Sequence, residues 1–398
     1  MAPLTQDEQT ALAKQVLQQL STTPYACSSL DQLSGGTANF LYRGTLLKPL
    51  APQHHDDQPA KTVVVKRSTD FVAINRDFPL DITRCVFEES TLRVLANAAS
   101  FAPASGNVVV KAPCLYLFDQ ESHTQVLEDF PDTTDLTTIL ESSDVNTILP
   151  GSSALSVGRA LGTWLRSFHD WASAPGQAAL QEVGSNMGMR KLKCLITYDS
   201  FIEILERHPE LLDGCRKPLE EVRDAMKTEF ERDPVPDENR GLIHGDFWAG
   251  NVLLKNVPWR EAAREDEGPN ELFIIDWENT QFGHRAVDIG GMLADIYERN
   301  HFKGVQASIP MMQGFMSGYG SLGDDLAFTT AIHAGVHLIC WYYRRDRNAP
   351  LPYPLERVLA ALTLGRDFVL KGWARDRQWF KTSMLAPLFA GEASNVAA

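Results

Sequence analysis

Residues 243–251 read IHGDFWAGN and residues 273–279 read FIIDWEN, so acidic and amide residues are threaded twice through apolar neighbours. Between them, NVLLK (251–255) and ELFIID (271–276) are short apolar runs separated by NVPWREAAREDEGPN (256–270), a charged stretch with Pro and Gly. That pattern predicts an antiparallel hairpin with a long tip. A hairpin sets the entry of its first strand beside the exit of its second, so Asn251 and Asp276 should meet in space. Asp246 lies in the turn just before, where Gly245 and Gly250 can take backbone angles that other residues avoid. Asp246, Asn251, Asp276 and Glu278 are therefore expected at one end of a hairpin.

Hard oxygen ligands suit Mg²⁺, which prefers one or two carboxylates, retained waters and substrate phosphates. Asn251 and Asp276, with Glu278, are the candidate metal ligands. Asp246 would stay clear of the ion, to orient an attacking hydroxyl and accept its proton. A lone His-Gly-Asp is more often only a tight turn, and His244 by itself reads as a structural histidine. Joined to Asn251 and the later Asp-Trp-Glu, the set points to phosphoryl transfer. Two other classes fit some of these residues: an ATP-binding regulator without turnover, and a metal-dependent phosphoesterase with His244, Asp246, Asp276 and His284 as ligands.

The chain has 398 residues, 44% of them hydrophobic and 22% charged, an ordinary globular composition long enough for two or three domains. A net charge of −14 speaks against nucleic acid as partner. No run approaches the roughly 20 apolar residues that span a bilayer, so no membrane partner is expected. The first residues read as a helix capped near Thr5, not as a signal. The six cysteines are scattered without a CxxC pair, which suits reduced thiols and a cytoplasmic protein.

Residues 1–130 carry short strand signals, LYRGTLL, TVVVKRS, PCLYLF and TQVLEDF, around one helical stretch, DITRCVFEESTLRVLANAA (81–99). Ile82, Val86, Leu92 and Leu95 approximate the apolar face of that helix. KPLAPQHHDDQPAK (48–61) reads as a surface loop. From residue 131 the pattern is mostly helical, with Leu161, Trp164, Leu165 and Phe168 on one stripe. EDFPDTT (128–134) has the Pro and Asp of a linker. The fold class is α+β, a small antiparallel-sheet lobe with one helix (1–130) before a larger helical lobe (131–398). Trp341, Tyr342 and Tyr343 read as core packing over acceptor lining, and His169 and His333 as helix packing. Asp295 and Glu298 suit either a cationic acceptor or a solvated helix.

HGDFWAGN with IIDWE resembles the catalytic loop and metal motif of the aminoglycoside phosphotransferase/choline kinase superfamily, small-molecule kinases of protein-kinase-like bilobal fold. LSGGTANFLYR (33–43), VVVK (63–66), FEESTLRVL (87–95) and AVDIGG (286–291) extend the resemblance over about residues 30–345. It is nearest the branch holding methylthioribose kinase and fungal hydroxytryptamine kinase. The resemblance implies ATP, Mg²⁺ and transfer of the γ-phosphate to a small-molecule alcohol. It implies that Lys66 contacts the α/β phosphates and that Glu88, rather than Glu89, holds that lysine. Arg67 is the rival of Lys66, but successive strand residues face opposite ways. By position, Ser34, Gly35, Gly36, Thr37 and Asn39 would cover the phosphates, and backbone from Glu128 to Phe130 would meet the adenine. Asp288 would brace the catalytic loop. TTAIHAGVH (329–337) lacks the arginine pair of methylthioribose kinases, and Trp248-Ala249-Gly250-Asn251 departs from their loop. An aromatic or amine-bearing alcohol is the expected acceptor, a methylthioribose-type sugar the alternative.

Overall fold

The structure, a computed structural model, describes residues 3–51, 59–98, 107–174, 178–262, 268–341 and 350–390. It divides into two compact units, Met1–Ala98 with Ala112–Thr133 and Ala99–Lys111 with Thr134–Ala398. A boundary after residue 130 would leave Val108–Lys111 in the first lobe. That strand instead pairs in parallel with Asn270–Ile274 and so counts with the second unit.

In the first unit the Gln6–Leu20 helix begins at Thr5, where a capping box forms: Glu8 N donates to Thr5 Oγ1 and Thr5 N donates to Glu8 Oε2. Five antiparallel strands follow one another across the sheet in the order Cys27–Gln32, Phe40–Leu50, Ala60–Arg67, Thr124–Glu128 and Leu115–Asp119. Strand alternation sends Val63 and Val65 into the core with Val16 and Leu20, and Lys66 to the opposite face. The helix Arg84–Asn97 stands where it was expected, but it is rotated from its expected face. Its buried residues are Arg84, Cys85, Glu88, Thr91 and Leu92. Two of these are charged and satisfied by distant partners. Arg84 donates to Asn39 Oδ1 at 2.8 Å and to Thr69 O at 2.7 Å, and Glu88 is paired with Lys66. Apolar periodicity cannot register a charge buried with its partner.

In the second unit the expected hairpin forms, with Val252 opposite Ile274, Leu253 opposite Phe273 and Leu254 opposite Leu272. The middle of its tip, residues 263–267, lies outside the described residues. A second antiparallel ribbon, Arg240–Ile243 with Gln281–His284, places Ile243 opposite Gln281. The two ribbons bring loop 244–251 and segment 276–280 to the same place.

Beneath them runs the Ser153–Ala172 helix, with Leu161, Trp164, Leu165 and Phe168 all buried as the stripe predicts. Phe247 stacks on Trp164 with ring centroids 6.0 Å apart, and Trp277 meets Phe168 edge-on at 5.5 Å. The apolar members of both motifs are thus anchors, and Asp246 and Asp276 are carried on fixed backbone between them. The same helix packs backbone to backbone on Ser308–Tyr319: a Cβ on Gly158 would lie 2.1 Å from Met311 O, and one on Gly314 2.0 Å from Leu155 O.

Trp341 stacks on Phe302 at 3.9 Å within a buried cluster, while Tyr342 and Tyr343 lie outside the described residues. Among the described residues no helix is long and apolar enough to cross a membrane.

Candidate active site

In the first unit Lys66 Nζ lies 2.8 Å from Glu88 Oε2 and 3.0 Å from Oε1, both residues almost wholly buried. Arg67 turns the other way, to Thr124 Oγ1 at 3.3 Å, and Glu89 pairs with Arg93 one helical turn on. In the glycine-rich loop Ser34, Gly35 and Thr37 are exposed and Gly36 half-buried, with Gly35 at φ +104°. Asn39 is different: it points inward and accepts from Arg84, which ties the loop to the helix. Glu128 also turns its carboxylate to protein, accepting from Cys114 N at 3.1 Å, and Phe130 is buried.

In the second unit the turn at 244–246 is built on Asp288. Its carboxylate accepts from His244 N (2.8 Å), from Gly245 N (2.9 Å) and from His169 Nε2 (3.1 Å). Burial alone would raise the carboxyl's pKa, but the His169 hydrogen bond, His244 and the backbone donor outweigh it and hold the pKa below the ordinary value. His169 is held in turn by Tyr319 at 2.9 Å. His244 faces the Ile275 carbonyl through Nε2 (3.0 Å), so Nε2 carries the proton, while Nδ1 accepts from Asp246 N (3.3 Å). Burial pulls its pKa below the ordinary histidine value. Both ring nitrogens are thus engaged within the loop.

Asp246 emerges from this frame with its side chain 37% exposed. Trp248 Nε1 donates to its Oδ2 at 3.2 Å, and Asn251 Nδ2 donates to the same oxygen at 3.4 Å and to Asp246 O at 2.9 Å. With its amide nitrogen so committed, Asn251 presents its carbonyl oxygen. Ile275 N donates to Asn251 O at 3.0 Å, which brings Asn251 beside Asp276. Asp276 is left-handed, at φ +65°, and Glu278 is buried with a carboxylate oxygen within 4.8 Å of one on Asp276. An amide oxygen and carboxylates are hard donors of the type Mg²⁺ takes. The left-handed setting of Asp276 is the local strain that recurs at functional sites.

Gly245 has φ +81°, and a Cβ there would lie 2.2 Å from Asn279 O. Gly250 owes its identity to space instead, since a Cβ would lie 2.3 Å from the Trp248 ring. Gly245→Ala is expected to cost at least about 2 kcal/mol, the left-handed penalty plus the displaced turn at Asn279. Urea midpoints of the two proteins test it, and a midpoint unchanged by the substitution would contradict the geometry.

The buried histidines also set an acid limit. Burial lowers His333 to a pKa of about 3 and His284 to about 4, both below the unfolded histidine. A depressed pKa means the unfolded chain binds more protons, so this stability is fully present above about pH 6.5 and is lost as pH falls through the folded values. The melting temperature should therefore drop by several degrees between pH 7 and pH 5, and His333→Gln should flatten that dependence.

Some of the site had no signal in the sequence. Lys193, on the Met187–Ile196 helix, donates to Asp246 Oδ1 at 3.2 Å. Asn186, which caps that helix, donates to Glu278 O at 3.0 Å and Thr280 O at 3.1 Å. Asp295, which the sequence left between a cationic acceptor and a solvated helix, is buried and accepts from Ala249 N at 3.3 Å. The histidine-ligated phosphoesterase reading fails on geometry. His284 sits opposite Arg240, at the end of its ribbon away from Asp246, and both His244 nitrogens are spent.

The family model for the phosphotransferase enzyme family matches residues 74–308 of the chain. The chain is 30% identical over 394 residues to "Phosphotransferase FrzJ" of Cladobotryum sp, covering 97% of this chain and 98% of that protein. It is 22% identical to the "4-hydroxytryptamine kinase" of Psilocybe cubensis, over 79% of this chain and 80% of the relative. Among solved structures, a choline/ethanolamine kinase family protein from Mesorhizobium loti aligns with a TM-score of 0.46 at 13% identity, covering 95% and 99% of the two chains. The chain belongs to the phosphotransferase enzyme family and is a kinase of small molecules.

Proposed function

We propose that this enzyme transfers the γ-phosphoryl group of ATP to a hydroxyl of a small molecule, in a Mg²⁺-dependent reaction. The observation that carries the reading is one carboxylate, Asp246, held accessible beside a second oxygen cluster, Asn251 and Asp276, on a rigid double-ribbon frame. Phosphoryl transfer asks little covalent chemistry of the protein, and positioning with charge neutralisation does most of the work. Asp246 orients the acceptor hydroxyl and takes its proton as the oxygen attacks phosphorus and ADP leaves. Asn251 and Asp276 would hold the metal, with Glu278 behind them. The ion, when bound, neutralises charge on the phosphate oxygens. In the first unit Lys66, fixed by Glu88, serves the α/β phosphates, with the 34–37 backbone covering them and the Glu128–Phe130 backbone meeting the adenine. Asn39 and the Glu128 side chain support that surface from within, since both are hydrogen-bonded inward.

For the acceptor we favour an amine-bearing aromatic alcohol. Asp295 and Glu298 are buried, not solvated, and Asp295 touches the catalytic loop through Ala249 N. Asp295 is itself paired with Arg299 at 2.7 Å, so an ammonium bound there would join an existing cluster of acids and a base. The relatives named as 4-hydroxytryptamine kinases point the same way. The test is incubation with Mg-ATP and a library of amines, sugars and phenols, 4-hydroxytryptamine and 4-hydroxyindole included, read by mass spectrometry of the phosphorylated product. Transfer to the amine and not to 4-hydroxyindole supports the full reading. Transfer only to sugars overturns the acceptor class, and ATP left intact with every alcohol overturns the reaction.

A further inference from the structure

The helix Met187–Ile196 buries two cations on its inner face beside Met189 and Cys194. Met187 and Leu195 are 42% and 51% exposed, while Arg190 and Lys193 are buried at 3% and 9%. Burying long cationic side chains while leaving apolar ones in water lowers stability. Such conflicts between local pattern and placement concentrate where function demands them.

The buried positions 186, 189, 190, 193 and 194 fall at helical spacing on one face, and each polar member of that face is anchored to something definite. Asn186 accepts from Met189 N at 3.3 Å and donates to the carbonyls of Glu278 and Thr280, bolting the helix start to the segment that follows Asp276. Arg190 donates to Arg232 O at 2.9 Å, where another helix ends. Two turns from Asn186, the same face delivers the Lys193 ammonium to Asp246. Among the described residues that carboxylate is its one acidic partner, at 3.2 Å.

Asp246 Oδ2 is already held by Trp248 and Asn251. Lys193 donates to Oδ1, and the Asp246 side chain stays 37% exposed. With donors on both oxygens, the carboxylate plane cannot turn about its Cβ–Cγ bond. Without Lys193 only Oδ2 would be anchored, through Trp248 and Asn251, and the plane would be held less firmly.

We propose that Lys193 is a positioning residue for phosphoryl transfer, setting the rotation of the Asp246 carboxylate so that Oδ1 faces the acceptor hydroxyl. This rests on Asp246 being the proton acceptor, as proposed above. It differs from a merely structural ion pair in one respect: its effect must pass through Asp246. A misplaced catalytic group costs up to about 100-fold in rate.

The experiment is a double-mutant cycle on the full chain, with steady-state turnover of Mg-ATP measured with the acceptor found in the library screen, and with water as acceptor otherwise. Lys193→Met should lower kcat by about 30- to 100-fold, with the KM for ATP within about twofold of the parent. Lys193→Arg, which keeps a donor there, should recover most of the loss. In the Asp246→Asn background, Lys193→Met should cost less than about twofold, because the group it orients is gone. Circular dichroism and melting curves accompany each variant, and Lys193→Gln replaces Lys193→Met should the latter not fold. Near-parental kcat in Lys193→Met overturns the proposal, as do equal losses in both backgrounds or a loss confined to the KM for ATP. If Asp246→Asn alone retains parental kcat, the fault lies in the assignment of the proton acceptor, and the role of Lys193 falls with it.

Discussion

Asp246→Asn is expected to lower kcat by about 10³-fold while Mg-ATP binds as before. Asparagine has nearly the shape of aspartate and can still accept from Trp248 Nε1, so loop geometry should survive. What disappears is the ability to take a proton from the acceptor hydroxyl, and with it the charge that aligns the hydroxyl for in-line attack. General-base contributions run to about 10²–10⁴-fold, so a 10³-fold loss is about 4 kcal/mol of transition-state stabilisation. The loss should fall on kcat and kcat/KM equally, the signature of an interaction made in the transition state only. Calorimetric titration with Mg-ATP and single-turnover phosphate transfer separate the two steps. A variant with near-parental turnover would remove Asp246 from the chemistry. One that had lost nucleotide binding would make it a ligand instead of a base.

The hairpin could be read because its two strands are continuous apolar runs and its tip is charged, so hydropathy marks both strands and the turn between them. From that pairing alone the meeting of Asn251 and Asp276 follows. The second ribbon could not be read the same way: QFGH (281–284) is short and polar, with no alternation to mark a strand. Yet that ribbon sets Gly245 against Asn279. Charged residues buried by remote partners were the other blind spot. Arg84 and Glu88 rotate their helix away from its apolar face, and Arg190 and Lys193 join the buried face of theirs, because the groups that satisfy them lie far away in sequence. The brace on Asp288 became an expectation only through family resemblance. Nothing in AVDIGG itself announces a carboxylate that takes two successive backbone donors and a histidine.

Asp276 offers the second large effect, and its backbone decides how to measure it. At φ +65° the residue occupies a region that costs an ordinary side chain about 1 kcal/mol or more, and that asparagine and glycine enter readily. Asp276→Ala would therefore confound loss of a ligand with added strain. Asp276→Asn and Asp276→Gly keep the backbone content and delete the charge. Both should weaken Mg-ATP binding by at least about 50-fold, more than 2 kcal/mol, with melting temperatures at or above that of the parent. ATP offered with EDTA should lose far less, because the deleted carboxylate acts through the ion. Stability retained while metal-dependent affinity collapses is the pattern of strain kept for function. If isothermal titration instead gave the two variants parental affinity for Mg-ATP, the left-handed aspartate would be a feature of the turn into Trp277 and the metal would have to be held elsewhere.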